Sequence, residues 1–190
     1  MQFIANKMVF EKLAKDMEKV IKTNKKKYLS NYFLTFAFVK NGALIVSDGR
    51  QMIGIKKEFL NGINDAELKD NTAYNFKVMK WNKCYVAIEL EEVENIVVGD
   101  VDKIINFNGF QWGASNDINS FLTCCYRVGC FDLNHLLTAF EVANAGGANA
   151  TFSKTRQFKV ESDFAFYICL AMLEKNPVFE AQEFSDLKAI

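Results

Sequence analysis

Few residues of this chain have types and spacings that suit catalysis. His135 is the only histidine, and Cys130 stands five residues before it, with Cys124 and Cys125 just upstream. A cysteine nucleophile needs a nearby base and a third group that orients the base. Here Cys130 falls at the end of an expected strand and His135 on the exposed side of an expected helix, and no GxSxG, HExxH or paired-carboxylate motif accompanies them. Buried structural thiols are the plainer use of these cysteines. A zinc centre would want CxxC pairs or more histidines, and neither is present. Asp100 and Asp102 offer oxygens to a cation, but alternating carboxylates are common in loops. Gly146-Gly147 follows an expected helix, the reverse of the order that cradles a phosphate. Trp81 and Trp112 offer faces for base stacking, with packing as the simpler use. The expectation is a protein that is not an enzyme and needs no cofactor. A thiol enzyme built on Cys130 and His135 is the alternative.

The more prominent pattern is cationic. At 100° per residue, Lys12, Lys15, Lys19 and Lys22 fall within an arc of about 80° on a helix expected over 8–22. Lys26 extends the row if the helix continues. Aligned ammonium groups repel one another, and a row that tolerates this suits phosphates, each contact releasing condensed counterions. The bland alternative is a solvated helix face, partly balanced by Asp16 and Glu18. Summed charge gives no help, because 23 Lys and Arg oppose 23 Asp and Glu over 190 residues. That balance excludes a general basic coat, so any nucleic-acid contact must come from patterned charge. Only Arg50, Arg127 and Arg156 are arginines. Diffuse phosphate attraction is therefore favoured over recognition by bidentate forks.

The elements that must position these residues can be read from periodicity. Half of the chain is apolar and 18 residues are Phe, which excludes disorder and provides a core. Gln2 to Asn6 reads as a short strand. Phe10, Leu13, Met17, Val20 and Ile21 then share one helical face, with Asn6 as N-cap and an end near Thr23-Asn24. Strands follow at Tyr32–Lys40, Ala43–Ser47 and Gln51–Phe59, turning at Asn41-Gly42 and Asp48-Gly49. The segment 60–120 reads as an irregular, β-rich middle. It contains a hairpin, Tyr74–Lys80 with Cys84–Leu90, and a solvated acidic run at Glu89, Glu91, Glu92 and Glu94. Val97 to Gly113 reads as loop or short strands. A strand at Cys124–Cys130 leads to a helix capped by Asp132 or Asn134, with Leu133, Leu136, Leu137 and Phe140 as its apolar face and Gly146-Gly147 as its end. Strands at Ala148–Ser153, Gln157–Glu161 and Phe164–Met172 complete the order.

The reading is α+β. A βαβββ unit at 1–59 is repeated at 121–173, with two helices against antiparallel sheets. Together they make one domain over 1–173, and residues 174–190 form a tail. No segment reads as a secretory signal or as a membrane span of about 18 apolar residues. Five cysteines, an odd number without scaffold spacing, fit a reducing cytoplasm.

Two βαβββ units in one domain is the layout of the DNA sliding-clamp fold, and local segments carry the same resemblance. Val46-Ser47-Asp48-Gly49-Arg50-Gln51-Met52-Ile53 resembles the Thr-Asp-Gly-His-Arg-Leu segment of bacterial DNA polymerase III beta clamps. Gly99-Asp100-Val101-Asp102-Lys103-Ile104-Ile105-Asn106 resembles their Pro-Asp-x-x-Arg-Val-Ile-Pro segment. Phe131 to Phe140 is similar to the start of the clamp's second helix, Phe-Asn-x-x-Tyr-Leu-Leu-x-x-Leu, and Phe166 to Leu173 to the closing strand, Tyr-Val-Val-Met-Pro-Met-Arg. Met1 to Ile21 is similar to the start of a clamp domain. These segments cover most of 1–173 in clamp order.

The resemblance implies a DNA-associated processivity scaffold with two kinds of partner. Double-stranded DNA would be held without sequence readout, through Lys12, Lys15, Lys19, Lys22 and Lys26. Peptides of replication proteins would enter a groove formed by Gly49, Arg50, Met52, Lys103, Ile104, Ile168, Leu170 and Met172. A lining of Met, Leu and Ile with one or two cations suits a short apolar, acidic peptide. Without the resemblance, Ile168, Leu170 and Met172 would simply alternate into a core. Three family prolines are replaced by Gly99, Asn106 and Ala171, and the family's His-Arg pair is Arg50-Gln51. Bacterial clamps carry several such domains per chain, whereas this length fits one, so a ring would require a homo-oligomer. A clamp-fold interaction module that does not encircle DNA is the other implied reading. The Lys and Asn richness suits an AT-rich genome, and a phage, mobile-element or low-GC bacterial origin is expected.

Overall fold

The computed structural model describes residues 1–29, 32–64, 66–80, 82–106, 110–113, 131–144, 149–153 and 157–170. The strand expected at Cys124–Cys130, the Gly146-Gly147 helix end, Met172 and the tail lie outside them. The chain divides into two compact units, Met1–Asp100 and Val101–Ile190.

The first unit begins with β1 (Gln2–Asn6) and α1 (Lys7–Lys27). The Asn6 side-chain oxygen accepts from the Met8 amide at 3.0 Å, the cap its position predicts. All five expected face residues, Phe10, Leu13, Met17, Val20 and Ile21, are buried, together with Ala14. Truncating Met17, which is fully buried, would cost about 2–5 kcal/mol. The helix does not stop at Thr23-Asn24 as expected. It runs one turn further, and Lys25, Lys26 and Lys27 offset the negative end of its dipole. The reason is Asn24, which is 0% exposed and turns inward. Its amide nitrogen donates to the Leu34 and Ser47 carbonyls, each at 2.7 Å. An asparagine that suggested a helix end is an internal tie.

The expected strand over Tyr32–Lys40 is only half a strand. A 3-10 turn at Phe33–Thr35, secured by the Thr35 hydroxyl donating to the Tyr32 carbonyl at 2.8 Å, precedes β2 (Ala37–Lys40). Asn41 and Gly42 turn with φ of 51° and 71° into β3 (Ala43–Ser47). Two successive positive φ angles define the hairpin turn that Asn-Gly favours. β4 (Gln51–Lys56) ends before Phe59, where a second 3-10 turn takes over at Lys57–Phe59. The order β-α-β-β-β is therefore present in the first half.

In the middle, the hairpin expected from Tyr74–Lys80 and Cys84–Leu90 is present with shifted bounds. After β5 (Asn61–Gly62), β6 (Ala73–Lys80) and β7 (Tyr85–Val93) form a long hairpin, in register from Ala73↔Val93 to Lys80↔Val86. The strand order is β5-β1-β7-β6-β2-β3-β4, so this hairpin stands between β1 and β2. Every pairing in it is antiparallel. Glu89, Glu91 and Glu92 of the acidic run belong to β7 and Glu94 follows it, with Glu91, Glu92 and Glu94 exposed as a solvated run requires. Ile88 and Leu90 are buried, while Glu89, Glu91 and Glu92 pair in register with Lys77, Asn75 and Tyr74. Outside β7's facing strand, Lys69 Nζ lies 2.8 Å from Glu92, and this carboxylate raises the Lys69 pKa above the ordinary lysine value.

The second unit contains a short helix α2 (Asp102–Ile105), β8 (Phe110–Gly113), α3 (Leu133–Asn144), β9 (Asn149–Ser153), β10 (Gln157–Glu161) and β11 (Ala165–Leu170). Its strands run β11-β10-β9-β8, all antiparallel. Asp132 caps α3, accepting from the Asn134 amide at 2.8 Å. That backbone hydrogen bond, opposed by slight desolvation and aided by His135, holds the Asp132 carboxyl below the ordinary carboxylate range. The expected apolar face of α3 is not its inner face. Ala139 and Val142 are fully buried, Leu136 and Phe140 are half-buried, and Leu137 is exposed. The small side chains face inward because β10 and β11 supply the bulk, with Phe158 and Tyr167 fully buried. The described second half thus reads α-β-β-β.

Candidate functional site

The expected cationic row is presented as the periodicity requires. Lys12, Lys15, Lys19, Lys22 and Lys26 are all exposed on α1, opposite its buried face. Continuation of the helix to Lys27 places Lys26 on the same element. Lys22 has the expected acidic neighbour, Glu18, and Lys15 has a further one in Glu11. Lys15 Nζ lies 2.8 Å from Glu11, and Lys22 Nζ lies 2.6 Å from Glu18. Both pairs have Glu four residues before Lys, the favoured orientation. At such exposure each contributes about 0.3–0.5 kcal/mol to the helix. Glu18 also accepts from the Val78 amide at 3.3 Å, tying α1 to β6. Against five lysines these two glutamates leave the face net positive. Asp16, expected to balance it, has its Oδ2 buried.

The first clamp-like segment is a rigid turn. Asp48 Oδ1 accepts from the Arg50 and Gln51 amides at 2.9 Å each, and Oδ2 from the Gln51 side-chain amide at 3.0 Å. The Ser47 hydroxyl donates to the Gln51 carbonyl at 2.8 Å and accepts from the Gly49 amide at 3.1 Å. Gly49 has a φ of +84°, which explains a glycine at the tip. The result holds Gly49 and Arg50 exposed. Met52 is the next inward residue of β4 and is only 2% exposed, so its side chain belongs to the core.

The remaining residues of the expected peptide groove belong to the second unit. Lys103 and Ile104 are exposed on α2, with Ile104 at 42%. On β11, Ile168 is 2% exposed and Leu170 is 39% exposed. Burial on β11 is continuous from Ala165 to Cys169 and does not alternate. Arg50, Lys103, Ile104 and Leu170 therefore offer side chains to solvent, while Met52 and Ile168 do not. Gly99 stands where the family pattern has proline. A Cβ at that position would meet the Phe33 ring at 2.9 Å, so any larger residue there requires that ring to shift.

His135 does not stand free on an exposed helix side, as expected. It is half-buried, and its Nδ1 lies 2.6 Å from the hydroxyl oxygen of the buried Tyr167. Cys130 lies outside the described residues. Among the described residues, Cys84 is exposed and Cys169 is buried, and no group of three or more His, Cys, Asp or Glu is arranged to hold a metal. Among the same residues, no helix is long and apolar enough to cross a membrane.

A second feature of the first unit had no clear sequence signal. Between the N-terminal half of α1 and the tip of the β6–β7 hairpin lies a groove of about 510 Å³. Glu11, Lys15 and Glu18 line one side, and Val78, Met79, Lys80, Lys83, Tyr85 and Val86 are among those lining the other. Its residues are far apart in sequence and join only because the hairpin stands beside β1 in the sheet.

No family model and no curated protein matches the chain. Among solved structures, it is similar to the DNA polymerase III beta subunit of Thermotoga maritima, with 9% identity, a TM-score of 0.46, and 93% of this chain and 66% of that one covered. It is similar to the Helicobacter pylori beta clamp in complex with 3,4-difluorobenzamide, with 10% identity, a TM-score of 0.45, and coverage of 91% and 66%. A third likeness is to the Helicobacter pylori beta clamp bound to a DNA ligase peptide, with 8% identity, a TM-score of 0.43, and again 91% and 66%. The chain thus spans just under two thirds of the length of these clamps.

Proposed function

We propose that this protein is a clamp-like, non-enzymatic scaffold of the cytoplasm that associates with duplex DNA without reading its sequence and docks peptides of replication proteins. The observation that carries the DNA part is the single exposed face of α1 bearing Lys12, Lys15, Lys19, Lys22 and Lys26. From Lys12 to Lys26 this row extends about 21 Å, or roughly six base pairs of duplex. Lysine offers a compact charge on a flexible stem, which suits phosphates at no fixed register. The clamp-like order of segments along the sequence supports the scaffold part. In the second unit, Lys103 would meet acidic groups of a partner peptide, and Ile104 and Leu170 its apolar side chains. A homo-oligomer would let a chain of this length surround DNA.

The Glu11–Lys15 and Glu18–Lys22 pairs favour a second reading, an interaction module on which DNA is not held. The thiol-enzyme reading loses support from His135, whose Nδ1 is engaged by Tyr167. The deciding experiment is retention on duplex DNA of unrelated sequences by the variant K12E/K15E/K19E/K22E. The scaffold reading expects retention to be lost. Retention equal to that of the parent protein overturns the role of α1.

A further inference from the structure

We infer that the groove between α1 and the β6–β7 tip is a docking site for a short, extended segment of a partner protein that carries apolar and acidic side chains. This inference is independent of the DNA reading, since it rests on the groove alone. At about 510 Å³ the groove is within the size range of sites that enclose compact ligands. Its apolar part comes from Val78, Met79, Val86 and the half-exposed ring of Tyr85, and Met79 adapts readily to the shape of an occupant.

Charge selects the occupant. The lining glutamates are already engaged: Glu11 by Lys15, and Glu18 by Lys22 and the Val78 amide. Lys80 and Lys83 are exposed at the hairpin tip, and neither has an acidic partner among the described residues. An occupant with carboxylates would meet these two ammonium groups, whereas a basic one would be repelled.

The backbone favours an extended occupant. β2 pairs only with Ala73 and Tyr74 of β6. From Phe76 to Lys80 the side of β6 away from β7 has no strand beside it among the described residues, and Glu18 reaches it at the Val78 amide. A strand edge without a neighbouring strand, next to an apolar groove, accepts a peptide by strand addition, with the Val78 amide exchanging Glu18 for a peptide carbonyl and alternate side chains entering the groove.

The test is a ¹⁵N-NMR titration of the full chain with two pools of hexapeptides. One pool is randomised over Leu, Ile, Phe, Asp and Glu, and the other has Lys and Arg in place of the acids. The acidic pool is expected to shift the amides of Val78, Met79, Lys80 and Tyr85, with the basic pool at least tenfold weaker. K80E/K83E should lose the response, and K80Q/K83Q should weaken it while keeping the parent spectrum elsewhere. Equal response to both pools, shifts confined to other residues, or an unchanged response in K80Q/K83Q would overturn the proposal. So would line-broadening of the groove amides by duplex DNA alone, or by raising the protein concentration alone. Those results would assign the groove to nucleic acid or to a second copy of the chain.

Discussion

Asn24 shows how much a single side chain can decide. It is fully buried, and its amide joins α1 to the carbonyls of Leu34 and Ser47. Asn24→Ala would leave those two carbonyls without their donor inside the protein. Urea unfolding should show a loss of about 1–3 kcal/mol. Asp132 makes a prediction with a pH signature. Its carboxyl is held below its ordinary value by the Asn134 amide, so its contribution is present above the unfolded carboxylate pKa. That contribution is lost as the pH falls through the lowered, folded value. Asp132→Ala should therefore destabilise the protein at pH 7, and its unfolding midpoint should converge on the parent's below about pH 4. Residue chemistry was partly legible. Asn6, Asn41-Gly42 and Asp132 act locally, and their caps and turns follow from their neighbours in sequence. Asn24 and Gly99 act through partners distant in the chain, Ser47 and Phe33, and their roles follow only from the fold.

The two long helices differ in how well their sequences declared their faces. In α1 the apolar stripe and the buried stripe coincide, because the helix supplies the large side chains to the core. In α3 the helix buries its small residues Ala139 and Val142, and β10 and β11 beside it supply the large buried side chains Phe158 and Tyr167. Hydrophobicity alone selects the wrong side when bulk comes from the partner element. The hairpin of the middle segment was legible from its alternation, but its second strand runs on through Glu91 and Glu92 to Val93, with Leu90 buried and both glutamates exposed. At this scale the α1 ion pairs give a sharp prediction. Glu11 and Glu18 compete with phosphates for Lys15 and Lys22. E11Q/E18Q should tighten duplex binding and steepen its salt dependence by up to about two units of slope, at a cost of about 0.3–0.5 kcal/mol per pair in helix stability. Fluorescence anisotropy with a labelled duplex would read the first, and thermal unfolding the second. Unchanged or weaker binding would show that the paired lysines take no part.

For the whole molecule, zero net charge is the controlling fact. Long-range attraction to DNA has no general source here, so binding must come from locally clustered charge, of which the α1 row is the proposed case. Chain length sets the second constraint. The first β-α-β-β-β order is present as read, and on the proposed reading one chain supplies one clamp-type domain. Sedimentation equilibrium should give a homo-oligomer if DNA is encircled, and a monomer if the protein is an interaction module. The central claim, sequence-independent DNA association through one helical face, is tested most directly by duplex affinity as a function of salt. For the parent protein, log K should fall linearly with log salt, with a slope of about −3, because Lys15 and Lys22 are paired with Glu11 and Glu18 and contribute little. In K12Q/K15Q/K19Q/K22Q/K26Q the slope should approach zero, and duplexes of unrelated sequence should behave alike. A parent protein without measurable affinity at low salt, or a slope that survives the five substitutions, would contradict the account.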